Sequence, residues 1–367
     1  MYRQIIKPSL FGFKQETSSK LFTGLVALSS HFPFRPFTKA FHRFNSPALE
    51  RELFGLHFPN PVGLAAGMDR NGDYIDAFSN FGFGFLEIGS LSPEPNTGYP
   101  KPRVFRLSQD RAIINRMGTP NKGVRYAIEK LKAKNPGILV SASIAPDRDS
   151  RKDEEMIKDY QVAFSLMYDF VDMFTVNVAS PNQDQALAFQ DSSSIADVLD
   201  PLLEMRRCYD SYKPILLKVS PDIPFEQLDG ILDYCMLSGV DGIVSGSTTR
   251  KLEGLTTPSK KLELIGAGNL SGAPLYPQTL SIVRHISEHT KGRFPIIACG
   301  GIMGLQRVQA FEDLPVVKRS QQAAVAEPFT ADETEDLRQC LSGRIVPDGL
   351  VPRSGDHVDV IREGLMD

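Results

Sequence analysis

Residues 173–182 read Met173-Phe174-Thr175-Val176-Asn177-Val178-Ala179-Ser180-Pro181-Asn182. A short apolar run gives way to amides, a hydroxyl and a proline, and helical periodicity flanks it on both sides. Such a run, bounded by turn formers, reads as a strand buried on both faces. The pattern recurs in both directions, with further candidate strands at 62–66, 85–88, 138–142, 215–219, 242–244 and 296–299. Candidate helices at 73–80, 124–133, 154–168, 194–209, 225–238 and 277–289 fall between them. Fully apolar strands alternating with helices imply a parallel sheet whose outer face is covered. Seven such strands predict an α/β fold, a (β/α)8 TIM-type barrel whose eighth βα unit stays doubtful. An open doubly wound sheet competes, but no Gly-x-Gly-x-x-Gly opens a helix after the first strand.

The chain has 367 residues, 41% of them hydrophobic and 23% charged, which excludes collagen-like and wholly disordered classes. A net charge of −3 gives no electrostatic footprint for nucleic acid. Cys208, Cys235, Cys299 and Cys340 form no Cys-x-x-Cys, and the six histidines do not join them. Neither a disulfide framework nor a metal site is expected. The first twenty residues lack the apolar core of a signal peptide, and no run approaches the roughly 20 apolar residues of a spanning helix. Residues 9–46 are different: leucines and phenylalanines interleave with Lys14, Lys20, Arg35, Lys39 and Arg43. Leu21, Leu25 and Leu28 recur at helical spacing, and Pro33 and Pro36 interrupt the chain before a second short helix around 37–44. A basic, Phe-rich helical pair can lie in a lipid interface, or it can cap the main domain.

In a parallel barrel the polar residues at C-terminal strand ends line the active site. Here the first strand runs into Gly67-Met68-Asp69-Arg70-Asn71-Gly72, the second into Gly89-Ser90, and the third ends at Ser143. The fourth gives the Asn177–Asn182 stretch, the fifth carries Lys218, the sixth ends in Gly246-Ser247-Thr248-Thr249, and the seventh in Gly300-Gly301. Amides, hydroxyls, a lysine and glycines at one mouth suit a flat polar heterocycle and a phosphate. A metal centre, a serine-hydrolase triad and a thiolate nucleophile all lose ground. Each residue also has a plainer reading: strand-end asparagines and serines as turn formers, and Lys218 paired with a structural carboxylate, since an unpaired buried ammonium is costly.

Several longer motifs together resemble one family. Residues 58–67 (FPNPVGLAAG), 82–89 (GFGFLEIG), 100–107 (PKPRVFRL), 114–118 (INRMG), 177–182 (NVASPN), 270–275 (LSGAPL) and 300–302 (GGI) look like dihydroorotate dehydrogenase over about residues 1–303. That family has a cysteine base in its soluble classes and a serine in its quinone-linked, membrane-associated class. Ser180 and the Phe-rich start therefore resemble the quinone-linked class, in which the helical pair 9–46 is a membrane-lying lid. The resemblance implies FMN as cofactor, dihydroorotate and orotate as substrate and product, a membrane quinone as electron acceptor, and a peripheral position on the cytoplasmic face of a bacterial inner membrane. It implies Ser180 as the base and Arg70, Asn115, Asn177, Asn182, Ser247 and Thr248 as substrate contacts. For the cofactor it implies Ala66, Gly67, Ser90, Ser143, Asn177, Lys218, Gly272 and Gly301.

The chain also departs from that family. Arg70 stands for a lysine, and a guanidinium is not an ammonium. Thr119-Pro120-Asn121 replaces Phe-Asn-Asn, and Ser143-Ile144-Ala145-Pro146 replaces Asn-Ile-Gly-Lys. Gly246-Ser247-Thr248-Thr249 replaces Thr-Asn-Thr-Thr, and Gln183-Asp184-Gln185-Ala186-Leu187 replaces a Thr-Pro-Gly-Leu-Arg lid. Past residue 303 no match remains. Lysine and arginine are equally frequent before it, but Lys318 stands against six arginines after it. The organisation expected is a helical extension over 1–50, a barrel over 51–303, and a divergent segment over 304–367 whose acidic stretch reads as solvated or disordered, either a replaced tail or a shifted reading frame. Two other functions stay open: an inactive or impaired paralogue of the same fold, and a flavin enzyme acting on another small ring.

Overall fold

The computed structural model describes residues 15–31, 33–42, 47–133, 137–150, 152–179, 191–304, 307 and 322–326. Among these, eight parallel strands close into a barrel: β1 Val62–Leu64, β2 Phe85–Leu91, β3 Leu139–Ile144, β4 Met173–Asn177, β5 Ile215–Val219, β6 Gly242–Ser245, β7 Ile296–Cys299 and β8 Gln322–Ala326. The first seven lie within a few residues of the strands read from sequence. The eighth, left open there, comes from within the 304–367 segment. It pairs with β7 through Ile297↔Ala323 and with β1 through Val325↔Gly63, so no strand of the barrel keeps a free edge.

Period-two alternation sorts the strand side chains. Leu86, Ile88, Phe174, Val176, Leu217 and Ile243 point outward into the large core shared with the helices. Phe85, Met173, Leu216, Val244 and Ile297 point inward, where Leu53 and Phe58 of the hairpin Arg51–Leu53/Leu56–Phe58 plug the N-terminal end. Each fully buried side chain of this kind stabilises the fold by roughly 1.5–3 kcal/mol before entropy is counted. One step further along each strand the inward positions turn polar: Glu87, Ser141, Thr175 and Lys218 are all buried. The interior is therefore an apolar floor beneath a polar layer, and the layer faces the C-terminal mouth.

The outer helices match their sequence pattern closely. The longer ones are α1 Gln15–Ser29, α2 Phe34–His42, α3 Val124–Lys132, α4 Asp153–Met167, α5 Ser192–Arg207, α6 Phe225–Ser238 and α7 Tyr276–His289, while the 73–80 pattern gives only a short helix, Ile75–Phe78, and Ser259–Ile265 was not foreseen. Helix α5 starts where the Asp191 carboxylate accepts from the Ser193 and Ser194 amides at 3.0 Å each, an N-cap worth about 1 kcal/mol. Helix α6 ends at Gly239, whose φ of 93° suits a residue without a Cβ. Aspartates one turn apart on α6 face histidines one turn apart on α7: Asp229 lies 2.6 Å from His285, and Asp233 lies 2.8 Å from His289.

The second helix of the extension begins at Phe34, earlier than its prolines suggested. Pro36 falls in the first turn, where a missing N–H is tolerated. Val26 of α1 is buried in the main core, whereas Leu21, Leu25, Leu28, Phe34 and Phe37 are exposed. Glu16 fastens α1 to the loop before the next strand, 2.6 Å from Lys101 and 3.4 Å from the Arg103 Nε. An antiparallel sheet that the sequence reading did not foresee follows this loop, built from Val104–Leu107, Ala112–Asn115 and Asn269–Gly272. It is tied to the end of β6, where Thr249 and Leu270 exchange backbone hydrogen bonds of 3.0 and 2.7 Å. Extension and sheet thus both sit at the C-terminal side of the barrel. Among the described residues no helix is long and apolar enough to cross a membrane.

Candidate active site at the barrel mouth

Strand register places the polar residues side by side. Asn177 is the direct neighbour of Lys218 across β4 and β5, and Gly89 is the neighbour of Ser143 across β2 and β3. The Asn177 Oδ1 accepts from the Ala179 amide at 3.1 Å, which fixes its Nδ2 as a donor to the Ser90 Oγ at 2.7 Å. The Ser90 hydroxyl lies 2.8 Å from the Ser143 Oγ. Asn177 thus donates to Ser90, and either the Ser90 or the Ser143 hydroxyl can donate to the other. The chain of hydrogen bonds runs from β4 through β2 to β3 and reaches Ser143. Below it the Ser141 and Thr175 hydroxyls meet at 3.1 Å, and the buried Tyr160 hydroxyl donates to the Asn177 carbonyl at 2.9 Å. Burial pushes the Tyr160 phenol far above its usual range, so it stays a neutral donor and helps hold the Asn177 backbone.

Lys218 has a carboxylate partner. Its Nζ lies 3.6 Å from the Glu87 Oε1, and both side chains are almost wholly buried. The other Glu87 oxygen accepts from the Ala66 amide at 3.4 Å. Glu87 was not singled out from the sequence, although an acid inside an apolar strand is itself a signal, since such residues are almost never buried unless paired. At the next strand end a Cβ built on Gly67 would meet nothing within 4 Å, so the backbone there is open to the mouth.

The sixth and seventh strands add hydroxyls and a close backbone. Among the described residues the Ser245 Oγ and Thr248 Oγ1 are buried without a hydrogen-bond partner, and Ser247 is half-buried. Buried hydroxyls of this kind cost about 1–3 kcal/mol each until something pairs with them. Gly272 and Gly301 both have positive φ, 104° and 66°. A Cβ on Gly301 would lie 2.8 Å from the Gly272 carbonyl, so the two strand ends touch backbone to backbone. The Arg307 guanidinium covers the outside of this contact, donating to the Gly301 carbonyl and stacking 4.6 Å above the Tyr276 ring.

The structure therefore brings Ala66, Ser90, Ser143, Asn177 and Lys218 into one connected cluster, with Gly67 at the adjoining rim. Gly272 and Gly301 form a second group on the β6–β7 side. Asn115 stands on the antiparallel sheet, where its Nδ2 reaches the Asn269 carbonyl at 3.4 Å. Arg70 lies beyond the end of β1, half-buried. Burial, then the neighbouring Arg103, press its pKa downward, and Glu16 and Asp69 offset them. Ser180 and Asn182 lie outside the described residues. Among the described residues no group of His, Cys, Asp or Glu side chains is arranged to hold a metal.

A closed parallel barrel with outer helices and a polar layer toward its C-terminal end defines a (β/α)8 enzyme scaffold. The family model of dihydroorotate dehydrogenase matches residues 48–314. A dihydroorotate dehydrogenase (quinone) of Christiangramia forsetii is 37% identical over 303 residues, spanning 82% of this chain and 87% of that one. A protein of the same name from Coxiella burnetii is 37% identical over 313 residues, spanning 84% and 88%. In fold, the crystal structure of a DHODH from Eimeria tenella in complex with ferulenol superimposes with a TM-score of 0.76 at 24% identity, over 89% of this chain and 90% of that one. The chain belongs to the dihydroorotate dehydrogenase family, on its quinone-linked branch.

Proposed function

We propose that the protein is an FMN-dependent dihydroorotate dehydrogenase that passes electrons to a membrane quinone. The observation that carries the reading is the connected cluster Ala66–Glu87–Lys218 and Asn177–Ser90–Ser143 at the mouth of a barrel of this family. The residues fit a flavin. Ser143 ends a hydrogen-bonded chain of side chains at the mouth, Lys218 offers a cation for the N1 and C2-carbonyl edge, and Gly67 leaves its backbone open to a ring. The crowded glycines 272 and 301 suit a phosphate approached by backbone amides.

When bound, FMN supplies hydride acceptance from C6 of dihydroorotate. The chain supplies the rest. Ser180, the residue after Ala179, whose amide the Asn177 side chain holds, takes the C5 proton, a role that needs a shielded pocket and hydrogen-bond reach. Asn177, with Asn115 and Asn182, orients the planar acid through neutral amides, and orientation removes much of the barrier. Arg70 offers a cation to the carboxylate. Glycine backbone and the Ser247 and Thr248 hydroxyls border the same mouth. Overall the substrate loses a proton and a hydride, and the quinone gains two electrons and two protons.

The exposed Leu21, Leu25, Leu28, Phe34 and Phe37, together with Lys20, Arg35 and Lys39, make the extension a membrane-lying cover on the cytoplasmic face. The test is direct. Purified protein should carry the visible bands of a flavin, and dihydroorotate should bleach them without oxygen. Ser180→Ala should keep the flavin and slow bleaching by about 10²-fold or more. Equal bleaching rates would remove Ser180 from the mechanism. A colourless chain that takes up no added FMN would instead support the impaired paralogue.

A further inference from the structure

Glu87 links two residues assigned above to the cofactor. One carboxylate oxygen accepts from the Ala66 amide at the end of β1 at 3.4 Å, and the other lies 3.6 Å from the Lys218 ammonium on β5. The barrel separates these strands, β5 lying three places round from β2, so only a side chain reaching through the polar layer can join them. Glu87 and Lys218 are 3% and 5% exposed. Isolated ions there would each cost several kcal/mol, and the pair is kept instead of the apolar residues that fill the layer below. Among the described residues the Glu87 Oε1 also makes no hydrogen bond, so those residues do not saturate the carboxylate. It restrains Lys218 by charge across 3.6 Å.

We propose that Glu87 is a positioning residue that sets the electron affinity of the flavin by holding and partly neutralising Lys218. The inference rests on the flavin reading above. Charge that gathers on the N1–C2-carbonyl edge when electrons arrive meets the Lys218 cation, and Glu87 offsets that cation. The net field at the edge is then that of a dipole rather than of a full positive charge. An uncompensated lysine would make the flavin a stronger oxidant, quick to accept electrons and reluctant to pass them to a quinone. A missing lysine would do the opposite.

Two measurements test this without relying on turnover. Sulfite adds reversibly to flavins, and its affinity rises with positive charge at the N1 edge. In FMN-loaded protein, Glu87→Gln keeps the side-chain shape but removes the negative charge. It should bind sulfite about tenfold more tightly or better, the scale of one uncompensated charge in a partly desolvated site, with a midpoint potential shifted positive. Lys218→Gln should shift both the other way. The second measurement uses flavin-free protein and urea. Each single variant removes one half of a buried ion pair and should lower the unfolding midpoint, whereas the Glu87→Gln/Lys218→Gln double variant should lie above the lower of the two singles. The double variant also serves if a single one does not fold, because it should still bind sulfite like a flavin with no local charge. Sulfite affinity and potential unchanged in flavin-loaded Glu87→Gln would overturn the inference and leave the functional reading standing. Wild-type protein that takes up no flavin would overturn both.

Discussion

At the scale of single residues, hydrogen-bond partners decide which side chain can do what. Asp73 shows it away from the mouth. Burial works against its charged form, but the Tyr126 hydroxyl, the Asn71 amide, Lys122 and Lys130 outweigh it and hold the carboxyl below its ordinary 3.8. The Tyr126 hydroxyl is 2.7 Å away and Lys122 3.4 Å. A carboxyl depressed in the folded state adds stability above its unfolded value, and that stability is lost as pH falls through the folded value. Tyr126→Phe should therefore lower the urea midpoint at pH 7, by no more than about 1 kcal/mol given the solvent access of the group. The gap between variant and wild type should close below the folded value. A gap of the same size in acid would assign the effect to packing. The same logic explains what could be read from sequence alone. Ser90, Ser143, Asn177 and Lys218 were legible because they end or interrupt apolar strands, where a polar side chain has to have a reason. Glu87 sat in the same kind of strand and was passed over as part of a motif. Its partner lies 131 positions away by number, and no local pattern marks a contact formed across a barrel.

At the scale of elements, periodicity carried most of the architecture and failed where pairing is remote. Helix α6 spans the residues its pattern indicated, because amphipathic spacing and a terminal glycine are local facts. The antiparallel sheet at the mouth was missed. Its three strands have four residues each, and the third joins the second across more than 150 residues through Asn269↔Asn115. Helix α1 shows one element serving two surfaces: Val26 goes into the core, while Leu21, Leu25 and Leu28 lie on the exposed side. If that side enters a lipid interface, Leu25→Glu/Leu28→Glu should reduce co-sedimentation with anionic vesicles by about tenfold or more. The two changes remove apolar contact and add repulsion from anionic headgroups. Flavin content should not change. Val26→Asp should behave differently, since a carboxylate forced into the main core destabilises the fold itself. Vesicle binding that survives the double substitution would show that the helix only caps the barrel.

At the scale of the whole molecule, the barrel depends on the segment whose sequence said least. Residues 322–326 read Gln-Ala-Ala-Val-Ala, a composition that favours helix over strand by intrinsic propensity. The segment becomes a strand because a seven-stranded arc presents two unpaired edges, β7 and β1, and one more parallel strand satisfies both. Closure here overrides local preference, and a reading built on β-branched runs could not find it. The backbone of Val325 pairs with Cys299 on one side and Gly63 on the other. Val325→Pro removes a backbone donor from a strand with neighbours on both sides, where proline is scarcely found. The variant should lose several degrees of thermal midpoint and show aggregation typical of exposed strand edges. Because β8 lies between the strand that leads to Gly67 and the one that leads to Gly301, flavin affinity should fall with it. Substituting Val325 with threonine, which keeps the donor and the β-branch, should leave both largely intact. If the proline variant melts and binds flavin as the wild type does, the barrel holds its mouth with seven strands, and the tail contributes nothing to the site.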